Sequence, residues 1–299
     1  MLVGRSHECD NPPWVRRLPA CSEPAFELSV SSSEIDAEVR RRLHAGEPLY
    51  IIHSDLIREL APDLVITQAH CEVCAVTPRD VERSGACAIG MDQLSLSASS
   101  VEGIFEGIQQ VAERLGLRER GRALVERERR RLRAVSEQSG RFQRPTVVVL
   151  EWTDPVFAMG NWGPELVEIA NGESLLSRKG EHSVAIAAEQ LRAADPEYLI
   201  VAPCGFNLQR ALLDLAILER HPWWSGLQAV RSGNLVFADG NLFFNRSGMT
   251  ISQTAEIMAE ILHGVTFAAR TEGIHWRRVQ PMGQAPTSPD LRAAMVVPA

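Results

Sequence analysis

Arg118-Glu119-Arg120-Gly121-Arg122-Ala123-Leu124-Val125-Glu126-Arg127-Glu128-Arg129-Arg130-Arg131-Leu132-Arg133-Ala134-Val135-Ser136-Glu137 is dense in Arg and Glu and almost free of turn formers. It reads as one long helix. Its apolar positions, Ala123, Leu124, Val125, Leu132 and Val135, are sparse. A mostly polar helix is either an ordinary surface helix or a strut between two bodies. What flanks it favours the strut, because strand and helix signals alternate on both sides.

On the N-terminal side, Leu2 to Arg5 is a short apolar run, a strand candidate ending in His7-Glu8-Cys9-Asp10. Ser33 to Leu43 reads as a helix, with Ile35, Val39 and Leu43 four apart, and His53 to Leu60 as another. Leu64-Val65-Ile66-Thr67 is a compact β-branched strand, and Pro78 opens a helix through Arg83. From Ser100 to Ser139 the pattern is helical, broken near Gly116.

On the C-terminal side, Thr146 to Leu150 is an apolar strand and Gly163 to Ala170 a helix stopped by Asn171-Gly172. Ser183 to Arg192 reads as a helix with Ser183 as its cap. Tyr198 to Ala202 is a strand, Leu208 to Arg220 a helix, Leu235 to Phe237 a strand and Ile251 to Leu262 the last helix. Past Gly264 the periodicity fades, and residues 278–299 look like a tail. The expected class is α/β, with parallel sheets covered by helices on both faces. The expected division is a first lobe over 1–115, a connecting helix over 116–143, a second lobe over 144–264 and a tail over 265–299.

At 299 residues the chain exceeds what one hydrophobic core usually serves. Apolar residues make up 45%, as in a globular protein, and the net charge of −7 argues against nucleic acid as a partner. Lys179 is the only lysine. No run reaches the ~20 apolar residues of a membrane span, so direct membrane insertion is not expected. Met1 to His7 lacks the marks of a signal peptide, which points to the cytoplasm as the sequence stands, or to the periplasm or cell surface if residues precede it. The six cysteines then read as thiols or ligands rather than disulfides. No G-x-G-x-x-G, G-x-x-x-x-G-K-[ST] or G-x-S-x-G follows a strand, which lowers the case for a dinucleotide enzyme, a P-loop NTPase or an α/β-hydrolase.

In open α/β sheets ligands bind beyond the carboxyl ends of strands. Those positions hold His7, Glu8 and Cys9; His70, Cys71 and Cys74; Glu151, Trp152 and, close behind, Trp162; Cys204 and Phe206; and Phe243, Phe244, Asn245 and Arg246. The aromatics read either as an apolar wall for a flat ligand or as ordinary packing. Asn245 and Arg246 read as contacts to an amide or carboxylate, or as a turn and a surface ion pair. Cys71-x-x-Cys74 suits two thiolates on one metal, a tight disulfide, or two half-buried thiols shaping a turn. Zinc or iron would need Cys9 and Cys204, or His7 or His70, to complete the set. Glu151 and Asp154 have no visible nucleophile or base beside them, so no catalytic group is assigned and an enzyme is not expected.

These residues resemble a family. Pro62-Asp63-Leu64-Val65-Ile66-Thr67-Gln68 with Cys71-Glu72-Val73-Cys74-Ala75-Val76 looks like the cobalamin-binding, BtuF-like branch of the ABC-transporter solute-binding proteins. So do Gly4-Arg5-Ser6-His7-Glu8-Cys9-Asp10, Leu150-Glu151-Trp152-Thr153-Asp154-Pro155, Ala202-Pro203-Cys204-Gly205-Phe206, and Asp239-Gly240-Asn241 with Phe244-Asn245-Arg246. The resemblance runs from residue 2 to about 263. It implies two Rossmann-like lobes joined by one backbone helix, with ligand capture in the cleft between them and an ABC permease as a possible partner. Family members usually begin with a strand and helix ahead of the Gly4–Asp10 segment. Here the first strand and helix are expected to be missing, leaving sheet edges and apolar surface exposed.

The function expected is reversible binding of cobalamin or a related corrinoid. Trp152, Trp162, Phe206 and Phe244 would form apolar walls. His7, Glu8, Cys9, Cys71, Cys74, Glu151 and Cys204 would be polar or cobalt-facing contacts, with Asn245 and Arg246 on the rim. The alternatives are a cytosolic zinc or iron protein using Cys9, Cys71, Cys74 and Cys204, and a thiol-dependent cobalamin-processing enzyme.

Overall fold

The computed structural model describes residues 1–69, 76–85 and 91–279. The first lobe is built from short elements. β1 (Ser22–Pro24) pairs antiparallel with β2 (Tyr50–Ile52), and α1 (Ser32–Ala45) lies between them in sequence. α2 (Ser54–Leu60) leads to β3 (Leu64–Gln68), α3 (Pro78–Arg83) follows, and β4 (Asp92–Leu96) pairs parallel with β3. The two pairs form separate two-stranded sheets. Ile51 and Ile66 stand exposed on them.

The strand expected over Leu2 to Arg5 does not form. Only Arg5 bridges, to Ala20, because Pro19 offers a carbonyl but no N–H to extend the ladder.

α4 (Val101–Arg114) and α5 (Arg118–Ser139) reproduce the two helical runs and their break at Gly116, whose φ of +69° suits glycine. The sparse apolar positions of α5 are used: Val125, Leu132 and Val135 are buried. So is Glu128, which accepts from Ser252 and Arg131. Arg131 also makes a bidentate pair with Glu256, at 2.9 and 2.8 Å. A helix with so polar a sequence thus docks through one thin apolar seam and one buried ion network.

The second lobe holds a seven-stranded mixed sheet, ordered β11-β10-β9-β5-β6-β8 with β7 beside β5. β5 (Thr146–Thr153), β9 (Tyr198–Val201) and β10 (Leu235–Ala238) are parallel and central. β7 (Glu173–Ser174) adds a parallel edge pair, whereas β6 (Val156–Ala158), β8 (Val184–Ala185) and β11 (Trp276–Val279) are antiparallel. β11 lies within the stretch expected as tail; Trp276 is buried there, so the packed lobe extends to Val279. The helix expected from Ser183 starts later, as α7 (Ala188–Ala194). Ser183 is not its cap: its hydroxyl accepts the Gly160 N–H, and Val184 and Ala185 extend to pair with β6. The run from Leu208 to Arg220 divides into α8 (Leu208–Leu213) and α9 (Leu215–Leu218) at Asp214, whose side chain turns inward.

Alternation along β5 sorts the core into two faces. Val147 and Val149 face α5, α6 (Gly163–Ile169) and α11 (Ile251–His263); α10 (Gln228–Arg231) precedes β10. Val148 and Leu150 face the other way, and Ile35 of α1 is buried among them, with Phe26, Val30 and Val39 packed alongside. α1 belongs to the first lobe in sequence but packs on the second. At its N-terminus, Ser32 and Thr153 share a 2.9 Å hydrogen bond and Thr153 donates to Asp214. Arg210 then ties Asp214, at 2.7 Å, to the Val30 carbonyl, at 2.9 Å. The first lobe therefore grips the second on both sheet faces, through α5 on one and α1 on the other.

Ile35→Ala should lower stability by about 2–4 kcal/mol in denaturant unfolding, a buried large-to-small change. It should also speed amide exchange at Val148 and Leu150. Unaltered exchange along β5 would place α1 outside the second lobe's core.

Candidate functional site

The parallel strands β5, β9 and β10 end on one edge of the sheet, and the loops that follow are zipped together. The Cys204 N–H donates to the Glu151 carbonyl at 2.9 Å, and the Asn241 N–H donates to the Phe206 carbonyl at 3.0 Å. Asp239 caps the turn over Gly240–Phe244, its carboxylate accepting from the N–H groups of Asn241 and Leu242. Asn245 completes the weld, donating to the carbonyls of Ala202 at 2.8 Å and Gly240 at 3.2 Å. Gly240 is the point of closest approach: a Cβ there would lie 2.1 Å from the Pro203 carbonyl oxygen. Asn245 thus builds the site rather than presenting its amide at a rim.

Aromatic residues divide between this edge and the core. Trp152 is half-buried; its ring lies 5.3 Å from that of Phe206, tilted by 46°, and its indole N–H donates to the Asp154 carbonyl. The Arg210 guanidinium covers Phe206 at 4.0 Å. Phe206 thus contacts both the Arg210 guanidinium and the tilted Trp152 ring, and Trp152 is the more accessible of the two aromatics. Trp162 and Phe244, expected as walls, lie behind it. Trp162 is 2% exposed with its indole N–H on the Phe244 carbonyl, and Phe244 is fully enclosed. Apolarity alone could not tell a wall from the packing behind it.

From the first lobe, the segment Arg5–Asp10 approaches this edge. His7 is held by Ser22, whose hydroxyl lies 2.9 Å from Nδ1 and accepts the His7 backbone N–H at 3.3 Å. The Tyr50 ring sits 5.2 Å away. Burial pulls the His7 imidazole below its ordinary value, helped by the Arg5 charge and opposed by Glu23, so His7 is neutral at neutral pH. Glu8 is exposed, yet desolvation still pushes its carboxyl up, against the pull of Arg246. Cys9 is exposed, with the Ser6 hydroxyl 3.5 Å from its sulfur, and Cys204 is half-buried.

The two lobes meet at Asp10. Arg246 donates to its carboxylate at 2.7 Å, Asn241 at 3.2 Å and Arg16 at 3.1 Å. Burial pushes the Asp10 carboxyl up, but these donors outweigh it and hold it below the ordinary range. The remaining Arg246 donors reach the Asn241 carbonyl, the Asn241 side-chain oxygen and the Glu8 carbonyl. Arg246, expected on the ligand's rim, is committed to this inter-lobe contact. Beside it Gln68, at the end of β3, donates to the Ser247 hydroxyl at 3.2 Å.

Among the described residues no group of three or more His, Cys, Asp or Glu is arranged to hold a metal. Cys71 and Cys74, the centre of both the metal and the cobalt expectations, lie outside the described residues, as does His70. Asp10, Ser22, Tyr50 and Arg210 were not singled out from the sequence. Asp10 stood within the quoted Gly4–Asp10 segment; the others carry no local motif.

Residues 32–242 match the family described as periplasmic binding protein. The chain belongs to the periplasmic binding protein family. A periplasmic heme-binding protein from Pseudomonas aeruginosa is similar in structure, with a TM-score of 0.68 at 17% identity, covering 94% of this chain and 91% of that one. The periplasmic heme-binding protein BhuT, in complex with two hemes, is similar at a TM-score of 0.63 and 19% identity over 87% and 88% of the two chains. The periplasmic vitamin B12 binding protein BtuF of Vibrio cholerae gives 0.60 and 17% over 87% and 88%. At these identities the likeness is one of fold. No curated protein matches the sequence. No described helix of this binding protein is long and apolar enough to cross a membrane.

Two outcomes follow for this binding protein. Trp162→Phe should cost about 1–2 kcal/mol in stability, since it strands the buried Phe244 carbonyl, while leaving the accessible ring surface at Trp152 unchanged. His7, whose folded-state proton affinity is depressed, should lower stability progressively as the pH falls below about 6.5, because the unfolded chain binds the proton more readily. The loss of unfolding free energy between pH 7 and pH 5.5 should be smaller in His7→Gln than in the parent. Equal slopes would refute a buried neutral His7.

Proposed function

We propose that this binding protein captures cobalamin or a related corrinoid in the cleft between the Arg5–Asp10 segment and the strand ends of the second lobe. The observation that carries the reading is the group of Arg210, Phe206 and the half-buried Trp152 at the carboxyl edge of β5 and β9, with His7 and Glu8 approaching from the other lobe. A half-buried indole braced by a second ring and by its own N–H bond offers apolar area to a flat macrocycle. Polar groups on the opposite lobe suit the ligand's periphery. Structural relatives described as binding heme and vitamin B12 support the class of ligand, a large metal-centred ring. The resemblance of the segment around Cys71 and Cys74 favours a corrinoid over heme within that class.

On this reading the protein is a carrier, not an enzyme. It hands its ligand to an ABC permease from the periplasm or cell surface, in keeping with its family.

The test is titration with hydroxocobalamin and, separately, hemin, followed by absorption spectra and gel filtration. One corrinoid co-eluting per chain, with its spectrum shifted, is the expected result. Trp152→Ala should weaken that binding by about tenfold, equivalent to roughly 1.4 kcal/mol, without unfolding the chain. Retention of hemin with no corrinoid would replace cobalamin by heme, and retention of neither would end the macrocycle reading.

A further inference from the structure

The lobes are fastened at two places on the carboxyl edge of the sheet, and the two fastenings differ in kind. At the β5 flank, α1 buries Ile35 in the second lobe's core, and Ser32, Thr153 and Asp214 form a hydrogen-bonded chain with exposures of 0%, 0% and 1%. Parting these surfaces would bare an apolar contact and a charge together. At the β10 flank, beyond β9 in the sheet order, the contacts are polar: the pair of Asp10 and Arg246, whose side chains remain 21% and 23% exposed, the Asn241 bond to Asp10, and the Gln68 bond to Ser247. No apolar side chain is shared across it in the contacts of Asp10, Asn241 and Arg246 just described. Water can replace every bond it loses. The ligand edge, carrying Trp152, Cys204 and Phe206, lies between the two flanks.

We infer that Asp10 and Arg246 form a releasable latch across the cleft, and that the lobes part at this flank while α1 and α5 hold the other side. Asn241 sets the latch: its side-chain oxygen and carbonyl fix the guanidinium, and its amide nitrogen bonds the second carboxylate oxygen of Asp10. Arg246 therefore arrives pre-aimed at the first lobe. Because Arg246 also donates to the Glu8 carbonyl, release of the latch frees the segment that carries His7 and Glu8. Asp10 and Arg246 are positioning residues. They set how often the cleft opens and touch no ligand themselves.

The latch is tested first without ligand, so its outcome is independent of the proposed cargo on which its use in ligand exchange rests. Small-angle scattering of the free protein should give a larger radius of gyration for Arg246→Ala and for Asp10→Asn than for the parent. Amide exchange should rise at residues 6–10 and 241–247 and stay unchanged at Val148 and Leu150. The double variant Asp10→Arg with Arg246→Asp should recover part of the compaction, which separates a charge latch from simple loss of packing. Compaction and exchange identical to the parent in both single variants would overturn the proposal. So would accelerated exchange along β5, which would place the opening on the α1 side.

Stopped-flow with hydroxocobalamin then reads the consequence. Dissociation should be about tenfold faster in Asp10→Asn, the equivalent of roughly 1.4 kcal/mol, and the parent's rate should rise with salt as the variant's does not. Unchanged dissociation and salt response in a variant shown to be expanded would refute the latch's control of exchange. If hydroxocobalamin does not bind the parent at all, the cargo reading fails, and scattering and exchange still decide the latch.

Discussion

The carboxylate of Asp214 is the point on which the arrangement of the two lobes turns. A charge enclosed to this degree is tolerated only when its oxygens are bonded and an opposite charge lies beside it. Thr153, at the end of β5, satisfies one oxygen and Arg210, one turn earlier on α8, the other. Each partner then does a second task. Thr153 reaches Ser32, the first residue of α1, and Arg210 reaches the Val30 carbonyl ahead of it while its guanidinium lies on Phe206. One buried ion therefore holds the first lobe's helix on the second lobe and backs Phe206 at the carboxyl edge of the sheet.

The fastening on both sheet faces constrains how this protein can move. A single backbone helix between lobes would leave them free to twist about its axis. α1 on the opposite face removes that freedom, since α5 and α1 lie on either side of the same sheet. What remains is displacement at the β10 flank, where the contacts of Asp10, Asn241, Arg246 and Gln68 that bridge the lobes are polar and partly solvent-accessible. Small, directed opening is the motion left by these constraints, rather than a broad hinge.

Much of this was legible in the sequence, and the reasons for the rest are specific. The polar run from Arg118 gave its helix to within a residue or two, because 3.6-residue spacing survives even when apolar positions are few. The β-branched runs at Leu64 and Thr146 were equally clear. The strand ends were located, and with them Trp152, Cys204 and Phe206. The docking of α1 was not: Ile35, Val39 and Leu43 mark an apolar face but not which lobe it meets. Ser183 resembled a cap because its type suits one, yet its hydroxyl serves Gly160 in the next strand pair. Trp162 and Phe244 were indistinguishable from Trp152 as letters; burial separates them. Arg246 read as a ligand contact because a charged residue after a strand usually faces solvent or ligand, and its partner is 236 positions away in the chain.

The division of labour among the aromatics bears on selectivity. Phe206 is held by Arg210 and by the tilted Trp152 ring, and Trp162 is pinned through the Phe244 carbonyl, so on the proposed reading the aromatic surface has little rotamer freedom to lose when a ring settles on it. A rigid apolar face of this kind favours flat ligands as a class and distinguishes poorly among them, because stacking reads area rather than functional groups. Discrimination must then come from the groups that approach from the first lobe. Of these, His7 has its Nδ1 fixed by Ser22 and its charge suppressed by burial, and Glu8 has its carboxyl pushed up by desolvation against the pull of Arg246. These two groups ride on the segment that Arg246 holds in place. On the proposed reading, selectivity and opening are therefore properties of the same Arg5–Asp10 segment, and a change that loosens the lobes would also blur what the cleft accepts.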